Sequence, residues 1–140
     1  MTQLLHPAAQ HGFSAAAELY QQVRPSYPQK IHAWLTEQLH LNANSRVIDL
    51  ASGTGKFLPY LIPHSGQLTA IEPVTEMLAQ LKLAYPQVET LQAFSDHIPL
   101  PSQSIDAVLS AQAFHWFANM HSLKEIHRVL KPQGHLGLVW

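Results

Sequence analysis

The chain contains no cysteine. That excludes a disulfide framework, a thiolate metal site and a cysteine nucleophile. Charge is also scarce: Asp, Glu, Lys and Arg make up 12% of the residues, and the net charge is −1 with histidines neutral. The basic residues (Arg24, Lys30, Arg46, Lys56, Lys82, Lys124, Arg128 and Lys131) are scattered, so no positive field invites nucleic acid. No apolar run approaches the roughly 20 residues that a membrane-spanning helix needs. The opening MTQLLHPAAQHGF has neither the basic start nor the apolar centre of a secretion signal. These absences lead to the expectation of a soluble cytoplasmic protein that binds neither nucleic acid nor membrane.

What is present is a globular composition. Hydrophobic residues make up 46% of 140, enough for one domain with a substantial core. Ten histidines raise the question of a metal. His115, His121 and His127 fall six apart, which on a helix turns each away from the last. No HExxH or His-x-x-x-His pair occurs, so the reading is no metal and histidines that pack or face solvent.

Along the chain, residues 1–45 read as N-terminal helices and 46–140 as an alternating core of a single domain. SAAAELYQQV (14–23) has helical character with Ser14 as a cap, and RPSYP breaks it. PQKIHAWLTEQL (28–39) opens on proline and carries Ile31, Trp34, Leu35 and Leu39 on one face. From residue 46 the rhythm changes. RVIDLA, QLTAIE, VETLQA, SIDAVLS and HLGLVW read as strands. Between them, GKFLPYLIP, VTEMLAQLKLAY and MHSLKEIHRVL read as helices, the last capped by Asn119. KPQG (131–134) reads as the turn into the final strand. Pro99 and Pro101 forbid a regular helix over 94–103, which is expected to cross as an extended loop. Strand–helix alternation of this kind predicts an open parallel sheet with helices on both faces.

DLASGTGKF is a glycine turn between a strand and a helix, and three ligands compete for it. A phosphate-binding P-loop needs GxxxxGK followed by Ser or Thr. Leu50 stands at its first glycine and Phe57 follows Lys56, so that reading fails. A dinucleotide fingerprint, GxGxxG, finds Gly53 and Gly55 but Leu58 at the third position. S-adenosylmethionine has no phosphate; it needs bare backbone for its aminoacyl arm and an acid at the end of the next strand for its ribose. Gly53 and Gly55 offer the first and Glu72 the second, with Asp49 at the end of the preceding strand to orient the loop or meet the ligand's ammonium. An ordinary turn and a solvated strand end would explain the same residues one at a time.

Four motifs in order carry a family resemblance over about residues 14–140. VIDLASGTGKF, AIEPVTEML, HIPLPSQSIDAVLSAQAFHWF and KEIHRVLKPQGHLGLVW, with the lead YQQVRPSYP, resemble the class I S-adenosylmethionine-dependent methyltransferases, in the branch called methyltransferase type 11. The resemblance implies a Rossmann-like fold with sheet order 3-2-1-4-5. It implies S-adenosylmethionine held by Asp49, Ala51, Gly53, Gly55, Glu72, Pro73, Ser95, Asp96 and Gln112. Ala51 stands where the family often has its first glycine. Phe94 and Ser95 stand where many members have Asp-Ala after the third strand, with Asp96 next, so Asp96 is the expected partner of the adenine amine. The Ser95 amide is a candidate to meet the adenine ring, and Phe94 or Ile98 to pack on it.

Methyl transfer is an in-line displacement that positioning alone accelerates greatly. AQAFHWF follows the fourth strand, at the carboxyl end of the sheet where open α/β folds bind ligands. His115 is the one candidate base there, Trp116 and Phe117 candidate walls of the acceptor pocket, though capping and packing of the next helix would suit them too. Tyr20 and Arg24 are placed to close over the cofactor, Arg24 on its carboxylate. The expected activity is methyl transfer to a small-molecule acceptor. A truncated, non-catalytic cofactor-binding domain acting through self-association and a nicotinamide-dependent oxidoreductase stand behind it. The family's usual C-terminal strands do not follow HLGLVW in this sequence, which leads to the expectation of a homodimer through the fifth strand.

Overall fold

The computed structural model describes residues 27–111 and 119–140. The helix expected over 14–23 lies outside them. The described chain runs α1 (Ile31–Glu37), β1 (Arg46–Leu50), α2 (Leu58–Leu61) with a 3-10 turn at Ile62–His64, β2 (Gln67–Ile71), α3 (Thr75–Ala84), β3 (Glu89–Leu91), β4 (Ile105–Ala111), α4 (Met120–Val129) and β5 (Leu130–Val139). The strands form one sheet in the order β3-β2-β1-β4-β5, and every pairing is parallel. This is the expected order. β1 lies at the centre, its last four residues buried, because helices cover the sheet on both sides.

Alternation along β1 divides the core. Val47 points into a cluster with Ile31 and Leu35 of α1, Leu61 of α2, and Ala107 and Leu109 of β4. Ile48 and Leu50 point the other way, to Ile71, Val108, and Ile126 and Val129 of α4. Leu81 of α3 packs with Leu58 and Ala70. α1, α2 and α3 therefore share one face of the sheet and α4 covers the other. Period-2 strands between amphipathic helices leave few other ways to bury both faces.

Element boundaries shift from the expectation in several places, most by a residue or two, and α2 keeps only Leu58–Leu61 of GKFLPYLIP. α1 begins at Ile31, not at Pro28: Ile31 N–H donates to the Pro28 carbonyl at 3.1 Å, so the proline opens a turn ahead of the helix. β3 keeps only Glu89–Leu91 of the expected 88–93. The KPQG segment is not a separate turn but lies within β5 as a bulge. Ile105 pairs with Leu130, yet Ala107 pairs with His135, so the strand accommodates extra residues around Pro132, which has no N–H to give the ladder. Asn119 caps α4 as read, its side chain accepting from Ser122 N–H at 3.0 Å.

Candidate functional site

The carboxyl ends of β1 and β2 converge on one loop. Beyond Leu50 the backbone enters the left-handed region at Ala51 (φ 57°), Gly53 (φ 59°) and Gly55 (φ 94°). The loop is stitched to β2: Ser52 N–H donates to the Ile71 carbonyl at 3.1 Å and its hydroxyl to the same oxygen at 3.1 Å. Gly55 N–H closes back on the Ser52 carbonyl at 3.0 Å. A Cβ on Gly53 would meet Met77 Cε at 3.2 Å, and one on Gly55 would meet the Tyr85 ring at 3.0 Å. Backbone angle and the close approach of α3 therefore both demand glycine here. Ala51 adopts the same angle without that exemption.

Glu72, the first residue beyond β2, is the charged centre of this junction. The residue is 4% exposed. Oε1 accepts from Gly53 N–H and Oε2 from Val74 N–H, each at 2.8 Å. One carboxylate thus ties the glycine loop to the start of α3. Burial pushes its carboxyl up to about 7, against the pull of the two amide donors. Asp49 is buried in mid-sheet, opposite Ala70 of β2 and Leu109 of β4.

The segment after β3 crosses beside this junction without regular structure, as the prolines predict. Gln92 Nε2 donates to the Pro73 carbonyl at 3.0 Å and to Thr75 Oγ1 at 2.8 Å, which holds the start of the crossover against the stretch after Glu72. The Ser95 hydroxyl meets the Ser122 hydroxyl of α4 at 2.6 Å, with both residues buried. Asp96 follows, its Oδ1 buried with no hydrogen-bond partner among the described residues. Thr54 Oγ1 in the glycine loop is in the same condition. Ile98, one of two alternatives for the adenine ring, is 1% exposed in the core with Ile48, Ile71 and Ile126, where it anchors the crossover on the sheet.

Asp49, Ala51, Gly53, Gly55, Glu72, Pro73, Ser95 and Asp96 are thus gathered at the carboxyl ends of β1, β2 and β3. Tyr20, Arg24, Gln112, His115, Trp116 and Phe117 lie outside the described residues. The sequence reading missed the hold that α4 has on the crossover. Glu125 and Arg128, three apart on α4, form an ion pair at 2.8 Å. Their spacing marks such a pair, but not the loop carbonyls that the guanidinium also meets. A separate cleft of about 710 Å³ opens at the opposite, amino-terminal edge of the sheet, lined by His40, Asn44, Asp106, Lys131 and His135 among others. It lies away from the glycine loop. Among the described residues no three His, Cys, Asp or Glu side chains gather as metal ligands would, and no helix is long and apolar enough to cross a membrane.

Comparison with known proteins bears directly on the loop. Residues 48–138 match the family model described as a methyltransferase domain. The chain is 44% identical over 122 residues to an uncharacterized methyltransferase-like protein of Schizosaccharomyces pombe, covering 86% of this chain and 48% of that one. It is 31% identical over 100 residues to the demethylmenaquinone methyltransferase of Chlorobaculum tepidum, covering 70% of this chain and 41% of the relative. Among solved structures, an S-adenosylmethionine-dependent methyltransferase from Aquifex aeolicus superposes with a TM-score of 0.68 at 25% identity, covering 87% of this chain and 71% of that chain. The chain spans about half the length of the curated relatives it matches.

Proposed function

Since the chain belongs to the methyltransferase domain family, within the class I S-adenosylmethionine-dependent methyltransferases, we propose that it transfers a methyl group from S-adenosylmethionine to a small-molecule acceptor. The observation that carries the reading is the 2.8 Å contact between Gly53 N–H and Glu72 Oε1. It brings the glycine loop and the acid of the next strand to one point, the arrangement that this cofactor requires and that neither a turn nor a strand end needs alone.

The residues suit the group. Each Glu72 oxygen spends one lone pair on an amide and keeps another, so the carboxylate can accept two ribose hydroxyls without releasing the loop. Asp96 Oδ1 is an acceptor in want of a donor, which an adenine amine supplies. Asp49, Ala51, Gly53 and Gly55 would hold the aminoacyl arm, and Pro73 and Ser95 the nucleoside. Gln112, Tyr20 and Arg24 complete the cofactor set. When bound, the cofactor supplies a methyl carbon on a positively charged sulfur. The chain's part is to align an acceptor behind that carbon and exclude water. Trp116 and Phe117 are assigned to the acceptor pocket, where aromatic faces would favour a cation. His115 would take the acceptor's proton where it has one. A small acceptor fits the net charge of −1, which offers nothing to nucleic acid, and the quinone-type substrate named for the Chlorobaculum relative.

The test is transfer of tritium from S-[methyl-³H]adenosylmethionine in the presence of a small-molecule extract. Label should move into the low-molecular-weight organic fraction and stay out of protein and nucleic acid. Label confined to macromolecules would overturn the acceptor class.

A further inference from the structure

α4 holds the crossover at three successive points along one face. Ser122, with its backbone N–H fixed by the Asn119 cap, bonds Ser95 through its hydroxyl at 2.6 Å. Glu125 Oε2 accepts from Ile98 N–H at 2.7 Å. Arg128 donates to the Ile98 carbonyl at 2.8 Å, the Leu100 carbonyl at 3.0 Å and Ser102 Oγ at 3.1 Å. It is itself locked to both Glu125 oxygens at 2.8 and 2.9 Å. Residues three apart on a helix are neighbours, so these side chains form one continuous grip. Both backbone polar groups of Ile98 are taken by the pair, as a neighbouring strand would take them. Ser95 and Ile98 bracket Asp96, whose Oδ1 is buried and unpaired among the described residues.

A loop of this length with two prolines and no ladder has no intrinsic reason to hold a carboxylate still. Burying an acceptor without a donor is costly, and the loop would relax to hydrate it unless held. Nothing in the fold alone requires a forked guanidinium with three acceptors in the crossover. The grip fixes the backbone on both sides of Asp96, which is what holding one carboxylate oxygen for a planar amine requires. We infer that Ser122, Glu125 and Arg128 are positioning residues for the nucleobase, fixing Asp96 so that the site selects a 6-amino over a 6-oxo purine. The inference rests on the cofactor reading above and adds to it the source of base selectivity.

The experiment compares S-adenosylhomocysteine with S-inosylhomocysteine, its 6-oxo analogue, by calorimetric titration of the 140-residue chain. The wild type should favour the adenosyl ligand about tenfold or more, the worth of one charge-assisted hydrogen bond. Asp96→Asn should abolish the preference. Arg128→Gln and Ser122→Ala, checked for fold by their melting curves, should bring it close to parity by weakening the adenosyl ligand more than the inosyl one. Arg128 is partly exposed and Ser122 fully buried, so the first serves if the second does not fold. Variants that weaken both ligands equally, or keep the full preference, would reduce the grip to a structural role and overturn the inference. A folded wild type that binds neither ligand would remove the cofactor reading itself, a distinct result.

Discussion

Glu72 carries a proton-linked prediction. Its carboxyl titrates at about 7 in the free protein because burial outweighs two amide donors. Ribose hydroxyls are donors, so they bind the ionised form best. Affinity for S-adenosylhomocysteine should therefore be near its maximum at pH 8 and about tenfold weaker at pH 6, one unit below the pKa. Glu72→Gln should flatten that profile, and Glu72→Ala should weaken binding at pH 8 by about 1–3 kcal/mol. An unchanged affinity from pH 6 to 8 would place the carboxyl at its ordinary value and leave the ribose to other groups. Ala51 carries a stability prediction. At φ 57° its Cβ crowds the following carbonyl, a strain that glycine does not feel. Ala51→Gly should raise unfolding free energy by about 0.5–1 kcal/mol in urea titration, the relief exceeding glycine's entropic cost. The sequence marked Ala51 as a substitution for glycine; only the backbone angle shows that the substitution has a cost.

Elements were legible where a local signal fixes them and not where a distant partner does. Asn119 was readable as a cap because its oxygen serves an amide three residues on. Asn119→Ala should cost about 1 kcal/mol and loosen the first turn of α4, seen as faster amide exchange around Ser122. The start of α1 was misplaced because proline suits both a first helical turn and the turn before it. The bulge in β5 was invisible because it depends on the pairing of Ile105 with Leu130 and Ala107 with His135, a register that no local pattern encodes. The crossover was readable as irregular from its prolines. What holds it was not, since Glu125 and Arg128 act on backbone groups some 25 to 30 residues away in sequence.

For the whole molecule, the alternation of strands and helices predicts a covered parallel sheet, and the strand order followed from the resemblance. Of the eight cofactor candidates within the described residues, all but Asp49, the penultimate residue of β1, lie in the loops that follow β1, β2 and β3, which is where such a sheet exposes its loops. At the outer strand, Trp140 is 70% exposed beside an apolar groove lined by Ile31, Trp34 and Leu138. A second copy of the chain on that edge would give twice the monomer mass in light scattering, with Trp140→Asp shifting it towards monomer. A monomer at high concentration would contradict the expected dimer. The central claim, that this glycine loop and its acid serve S-adenosylmethionine and not a dinucleotide, is tested most directly by calorimetric titration of the chain with S-adenosylmethionine and with NAD in separate runs. The account predicts a single saturable site for S-adenosylmethionine and no heat of binding from NAD; tight NAD binding with no response to S-adenosylmethionine would contradict it.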